Sequence, residues 1–522
     1  MNLSNRTLQI LIVLFGLLVY GAAIWSTSIL TQGDESDYIR SSQEMLASGD
    51  YLTPTFREQL RFTKPPLLYW MLVASYEAFG VNYFASRFPT VICAILTVIF
   101  VFRMGLVVFD KKAALIATSI TATSFGMIKF SKIALMESPL IMTLLLSFYY
   151  FARFYKEENN RHLIVSFVFV GLSALLKSPV YSVLAVIVMI VFLWSEGALI
   201  RLKCKEFLIA GFIGMAIGIP WYLAMAAIHG SLFTDFYLNE HLNKFDAEPH
   251  YLFRVWIGLL LYLLPWTFYF LHAIIATFSQ QFHKLWGFKL LLITIGLFLL
   301  IFLMPNQKGH YYSIPLLPYC GLLVGAIASR GLPATRIWDG LTAFILFLAS
   351  IVFTAAAVLL ESGKFLSLLA ALGVLVAAVV IIRNREKVVP SLLVGFSMML
   401  FYMNIMPAVN LEIIPVAKTL EIAGDRSLYS YNLSPLKFAD SLEHNVSEIL
   451  EPNELRQSLA NGSVVIITDD DLIRLGPVLG DEVKVKLEWK RWRRRLAFTK
   501  VFEVIWTQRT GDIQQSVYLI AR

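Results

Sequence analysis

The sequence predicts an all-α polytopic membrane protein with a small α/β unit at its C-terminal end. Three observations predict it. Hydrophobic residues make up 57% of the 522-residue chain and charged residues only 15%, with a mean hydropathy of +0.67, outside the soluble globular range. Apolar runs of roughly 17–25 residues, the length a helix needs to cross a bilayer, recur as far as Met406. Beyond Met406 the pattern changes to short alternating stretches of the kind that form strands.

The runs can be taken in order. The first covers Leu8–Leu30 and follows a single basic residue, Arg6; it reads as an uncleaved signal anchor, with a cleaved signal peptide as the alternative. A polar loop, residues 31–82, comes next. Further runs lie at Tyr83–Phe109, Ala113–Phe130, Ser138–Tyr155, Leu163–Lys177, Val180–Trp194 and Phe207–Ala227. After a second polar loop, residues 228–250, they resume at Leu252–Phe278, Phe288–Met304, Tyr311–Ser329, Ile337–Leu360, Phe365–Ile382 and Pro390–Met406. The total is about thirteen spans.

Basic residues orient this array. With the N-terminus in the cytoplasm, the inner loops carry Arg103, Lys111 and Lys112; Arg153, Lys156 and Arg161; Arg201, Lys203 and Lys205; Lys284 and Lys289; Arg330 and Arg336; and Arg383, Arg385 and Lys387. Every inner loop is then basic, as the positive-inside rule requires. An odd number of spans puts both polar loops and the C-terminal unit outside. The net charge of +8 therefore reads as topology and not as a nucleic-acid face. Cys93, Cys204 and Cys320 stand far apart in or beside apolar runs, which excludes a disulfide framework and a cysteine metal site. There is no internal repeat, nucleotide-binding glycine loop or metal-type histidine cluster, so neither a cofactor nor a metal is expected.

The unit from residue 408 to 522 is long enough to bury its own core. Strands are predicted at Ser427–Asn432, Ser463–Ile467, Val483–Leu487, Phe498–Trp506 and Ser516–Ile520, with a helix at Leu436–Leu442. Its run Lys490-Arg491-Trp492-Arg493-Arg494-Arg495 reads as a solvated basic face at the membrane, or as a site for anionic headgroups or an acidic partner.

Chemistry is concentrated at the outer ends of the spans. Asp34-Glu35 directly follows the first run, and Glu35–Leu46 has helical character with Tyr38, Met45 and Leu46 on an apolar face. The helix would lie along the membrane surface with Asp34 at its N-terminal end. The pair reads either as surface charge or as a general base for an acceptor hydroxyl. Glu137 in SKIALMESPL either favours its helix N-terminus electrostatically or serves chemistry. Lys64 before Pro65-Pro66, Lys177 in LLKSP and Lys308 in NQKGHYYSIPLLP sit beside Pro or Gly at outer helix ends. Each reads as a cation snorkelling to headgroups or, together, as point charges converging on a phosphate.

These stretches resemble one family. DES-Y, EMLASGDYLTP and F-KPPLLYW are similar to the first outer loop of the 4-amino-4-deoxy-L-arabinose lipid A transferases, whose wider relatives are the protein O-mannosyltransferase-like enzymes of the GT-C fold. LLKSP resembles that family's Leu-Thr-Lys-Gly-Pro stretch, EHLNKF and LLPWTF its second-loop and following-span motifs, and KGHYYSIPLLP its Lys…Tyr…Leu-Pro…Pro segment. The ordered set runs to about Pro318.

The resemblance implies a GT-C membrane body with interfacial helices in the first loop. It implies a glycosyltransferase that moves a sugar, with inversion, from a polyprenyl-phosphate donor to an extracytoplasmic lipid, glycan or protein acceptor, in the inner membrane of a bacterium. Asp34 matches the first-loop catalytic aspartate, with Glu35 beside it, and Glu137 the second acidic residue. Lys64 matches the lysine that contacts the polyprenyl phosphate. Arg40, Lys177, Lys244 and Lys308 are assigned with it to the donor phosphate, and Tyr38, Glu240, His241, His310 and Tyr311 to substrate. Two positions depart from the pattern: Asp37 stands where the family has Arg, and Thr63 where it has Glu before Lys-Pro-Pro. A lipid-linked-sugar transporter is the reading from another class; it would place charges at mid-bilayer on paired broken helices.

Overall fold

The computed structural model describes residues 3–25, 33–56, 59–203, 205–246, 252–306, 309–331, 335–359, 364–384, 387–405, 416–432, 446–479, 483–492 and 514–522. Helix α1 (Asn5–Gly21) starts where the Ser4 hydroxyl accepts the Thr7 N–H. Its far end is held from elsewhere in the chain. The buried Lys132 ammonium donates to the carbonyls of Val19, Tyr20 and Ala22 at 2.5, 3.1 and 2.8 Å, and Arg87 donates to Ile24 O at 3.1 Å. Carbonyls at a helix end lack partners within the helix, and here two buried cations supply them.

Then follow α2 (Gly33–Ser48), a hairpin of β1 (Thr55–Phe56) and β2 (Gln59–Leu60), and α3 (Leu67–Phe79). The expected loop 31–82 is thus largely structured: α2 covers the predicted Glu35–Leu46 helix, with Tyr38 and Met45 buried. The apolar stretch after Pro66 adds a helix that the span count passed over. The bundle continues through α4 (Tyr83–Val108), α5 (Lys111–Thr123), α6 (Phe125–Ser131), α7 (Glu137–Glu157), α8 (Asn160–Ala174), α9 (Pro179–Ser195), α10 (Lys205–Gly218), α11 (Pro220–His229) and α12 (Ser231–Asp246). Expected loop 228–250 is therefore mostly the helix α12. After it come α13 (Arg254–Tyr262), α14 (Thr267–Ser279), α15 (Trp286–Ile301), a 3-10 turn (His310–Leu316), α16 (Leu317–Ala328), α17 (Thr335–Leu359), α18 (Lys364–Asn384) and α19 (Val388–Leu400).

Among the described residues, five helical stretches are long and apolar enough to cross a membrane, or up to seven if each bent pair is one span. That is fewer than the expected thirteen. Two runs that read as continuous are broken. α5 and α6 meet at 58°, and α13 and α14 at 111°. Hydropathy registers an apolar run but not the bend inside it, because both halves of a bent pair are apolar.

Small residues set the closest crossings. Gly214 and Gly218 of α10 face Gly171 on α8: a Cβ at Gly218 would stand 3.1 Å from both the Gly171 carbonyl oxygen and the Ala174 Cβ. Gly321 and Gly325 on α16 likewise leave room for the α5 backbone at Ala117 and Ala113. Where lipid removes the hydrophobic drive for helix pairing, such close backbone approach supplies the packing.

Residues 416–521 form a five-stranded sheet in the order β4-β3-β5-β7-β6, from β3 (Leu428–Tyr431), β4 (Val446–Ile449), β5 (Val464–Thr468), β6 (Lys484–Trp492) and β7 (Gln514–Ala521). The first three are parallel, and β7 and β6 are antiparallel additions. α21 (Pro452–Ala460) and α22 (Asp469–Leu479) cover one face through Leu455, Leu459, Leu475 and Leu479. α20 (Val416–Ala423) contributes Leu420 and Ile422 to the other. Four predicted strands fall on β3, β5, β6 and β7. β4 was missed, and the predicted Leu436–Leu442 helix and Phe498–Trp506 strand lie outside the described residues.

A candidate active site at the outer ends of the helices

One hydrogen bond brings two distant motifs together. Pro66, the N-cap of α3, has no N–H, and the Leu67 N–H donates to the Leu175 carbonyl at 3.0 Å. The Lys64-Pro65-Pro66 turn is thereby tied to the Leu175-Leu176-Lys177 segment that precedes Pro179 at the first turn of α9. Lys64 and Lys177 line one half-open cavity of about 310 Å³ including its mouth, together with Tyr38, Phe130, Leu135, Met136, Glu137 and Tyr311. Five of the predicted site residues therefore converge: Tyr38, Lys64, Glu137, Lys177 and Tyr311.

Within the cavity the charges are already organised. The Lys177 ammonium donates to Glu137 Oε1 at 2.8 Å, and both side chains are nearly buried. It also lies 4.7, 5.1 and 5.9 Å from the ring centres of Tyr311, Tyr312 and Tyr181. A partly desolvated ammonium is stabilised by such ring faces as well as by its carboxylate. Glu137 is the first residue of α7, so its carboxylate sits at the positive end of the helix dipole as well as beside the lysine. Lys64 donates to the Thr63 carbonyl at 3.0 Å.

Other predicted residues are placed differently. Glu35 is fully buried and does not line the cavity: Arg87 Nε and Nη2 donate to its two oxygens at 2.8 and 3.2 Å, and the Ala134 N–H donates to Oε1 at 2.9 Å. All three contacts hold the start of α2 against α4 and against the segment that leads to Glu137. Arg40 pairs with Glu44 one helical turn on, at 2.9 Å, instead of pointing at a phosphate. Asp34 lies in the first turn of α2, and His241 and Lys244 on α12; these three are placed at the level of the backbone. Glu240 is half-buried on α12. His310 opens the 3-10 turn and stacks on Tyr262, with ring centres 5.8 Å apart. Lys308 lies outside the described residues.

Sequence reasoning passed over Arg61. Asp37, standing where the family pattern has an arginine, accepts from Arg61 Nη1 at 2.8 Å. The Arg61 guanidinium also lies 5.6 Å from the Tyr38 ring centre and 5.4 Å from that of Phe56. The signal was there: an acid in an arginine's place invites a basic residue from the same loop. The loop is anchored on the other side by aromatic packing. Phe62 sits among His229, Phe233 and Phe236, and Trp221 Nε1 donates to Leu52 O at 2.9 Å.

The resemblance extends to known proteins. Residues 6–234 match the family described as dolichyl-phosphate-mannose-protein mannosyltransferase. An uncharacterised protein of Aquifex aeolicus is 25% identical over 320 residues, covering 60% of this chain and 62% of that protein. The undecaprenyl phosphate-alpha-4-amino-4-deoxy-L-arabinose arabinosyl transferase of Photorhabdus laumondii is 26% identical over 294 residues, 53% of this chain and 52% of the relative. The matches thus span between half and two thirds of these relatives' lengths. In three dimensions the chain is similar to the crystal structure of ArnT from Cupriavidus metallidurans bound to undecaprenyl phosphate, with a TM-score of 0.71 and 17% identity over 99% of this chain and 98% of that one. The chain has that fold, and the GT-C architecture expected from the motifs is the one it adopts.

Proposed function

We propose that this chain is an integral-membrane glycosyltransferase that moves a sugar from a polyprenyl-phosphate donor to an acceptor outside the cytoplasm, such as lipid A or another envelope glycolipid. The observation that carries the proposal is the convergence of Lys64, Lys177, Glu137, Tyr38 and Tyr311 on one cavity, from motifs that resemble those of such transferases. In this reading the acceptor oxygen attacks the anomeric carbon, the bond from that carbon to the phosphate oxygen breaks, and polyprenyl phosphate leaves. Lys64 and Lys177 stabilise the developing phosphate charge, commonly the largest catalytic contribution available. The acceptor proton passes to a carboxylate, Asp34 or Glu137. Lys244 and Lys308 are the further cations proposed for the phosphate, and Glu240, His241 and His310 for substrate. Glu35 acts by holding α2 in place, and Arg40 pairs with Glu44 within that helix.

The orientation proposed is N-terminus inside, with the cavity and the unit 408–522 outside the inner membrane of a bacterium, where the unit rests near lipid headgroups. A protein acceptor is the second reading, favoured by the family description matched over residues 6–234. The decisive experiment supplies a polyprenyl-phosphate sugar to the purified chain in lipid, and compares wild type with Asp34→Asn and Lys64→Ala. Loss of glycosidic bond formation in both variants is expected. Carrier movement across the bilayer with no new bond would instead establish a transporter. Mass spectrometry of envelope lipids, glycans and proteins with and without the chain identifies the acceptor.

A further inference from the structure

Beside the cavity lies a second group of cations that the proposed reaction leaves unused. Lys129, in the last turn of α6, is half-buried; its ammonium faces the rings of Phe130 and Tyr262 at 5.4 and 6.0 Å. Arg254 opens α13 and is also half-buried. Among the described residues neither has a hydrogen-bonding or ion-pair partner. The His310 imidazole stacks on Tyr262 within electrostatic reach of both. The acid that acts on Lys129 is Glu137, which is already paired with Lys177.

The backbone is shaped to gather these groups. Arg254, Gly258 and Tyr262 follow one another at single-turn intervals on α13. A Cβ at Gly258 would collide with the backbone of His310, so only glycine lets the 3-10 turn approach this closely. The result is Lys129 and the His310 imidazole against the Tyr262 ring, with Arg254 within electrostatic reach of His310, and the one acid acting on Lys129 already committed to Lys177. Half-burying a cation without a partner is unfavourable, and a bound anion removes that penalty.

We infer that Lys129, Arg254 and His310 form a second anion subsite that takes a phosphate group. A guanidinium and an ammonium suit a phosphate well, the one as a planar two-pronged donor and the other as a point charge. The phosphate comes from the carrier lipid or from a phosphorylated acceptor glycolipid; that choice rests on the transferase reading, whereas the subsite itself does not.

The test uses the full chain in nanodiscs of zwitterionic lipid, with undecaprenyl phosphate and a bisphosphorylated glucosamine glycolipid as the two probes. Direct binding is measured for wild type, for Lys64→Met and for the double variant Lys129→Met/Arg254→Met. The double variant is expected to weaken one probe by about tenfold or more. If that probe is undecaprenyl phosphate, and Lys64→Met weakens it too, the carrier fills the subsite. If it is the glycolipid, and Lys64→Met leaves it unchanged, the acceptor does. Should the double variant fail to fold, Arg254→Gln at its half-exposed position is read in its place. Wild-type affinity for both probes in a folded variant overturns the inference and leaves Lys129 and Arg254 as cations solvated by headgroups. If the wild-type chain transfers no sugar while binding still depends on these residues, the transferase reading falls and the subsite stands.

Discussion

Arg87 and Lys132 do at the scale of single residues what the whole outer end of the bundle needs. Arg87 carries the charge that Glu35 requires, and breaking a buried pair from one side leaves the other charge stranded, at a cost of about 3–5 kcal/mol. Arg87→Met is expected to lower the thermal midpoint of the detergent-solubilised chain sharply, and adding Glu35→Leu to recover much of the loss. Lys132→Met removes three hydrogen bonds from the end of α1. Each orphaned buried carbonyl costs about 1–3 kcal/mol, so a similar fall is expected, read by the same melting measurement. In the sequence Arg87 is one basic residue inside the Tyr83–Phe109 run and Lys132 one just beyond the Ala113–Phe130 run. Their partners lie 52 and 110 or more positions away, and no local spacing points to them. The place of Lys64, Lys177 and Glu137 at helix ends was legible because a proline follows each within two residues. Glu35 was misread because adjacency to Asp34 says nothing about which way a helical side chain turns: consecutive residues on a helix do not face the same way.

At the scale of elements, the pairing of α8 with α10 depends on having no side chain at Gly214 and Gly218. Gly218→Leu is expected to push α10 outward, and with it α11 and α12, which pack against the first outer loop through Trp221, Phe233 and Phe62. Cysteine cross-linking between α8 and α10 should fall, while cross-linking between α5 and α16 stays unchanged. The apolar runs disclosed the existence of most helices. What they did not disclose is breakage: Ser124, and the stretch between Tyr262 and Thr267, turn the chain by 58° and 111° with no loss of hydrophobicity. β4 escaped notice because Val446–Ile449 is a four-residue strand at the sheet edge, too short for alternation to register.

For the whole molecule, the apolar clusters are divided along the sequence. The largest runs from Val19 to Tyr402, and the two clusters of the sheet draw only on residues from Leu420 onward. Truncation after Ile405 is therefore expected to leave the helical part with a thermal midpoint within a few degrees of the intact chain, measured in the same detergent. A fall of tens of degrees would mean that the sheet unit supports the bundle. The composition also changes after Met406, and strands and amphipathic helices need a core of their own.

The resting contact between Lys177 and Glu137 has a kinetic side. Each neutralises the other, and three tyrosine rings hold the ammonium in place. In the proposed reaction a donor phosphate would offer Lys177 a more highly charged partner, and the exchange would free the Glu137 carboxylate. An acceptor that needs a carboxylate would then meet one only after the donor is bound. Ordered addition, donor before acceptor, is the expected steady-state pattern, and Glu137→Gln should abolish the order along with much of the rate. Initial-velocity and dead-end inhibition kinetics would read it; random addition in the wild type would leave the pair as a mere prop of the cavity wall.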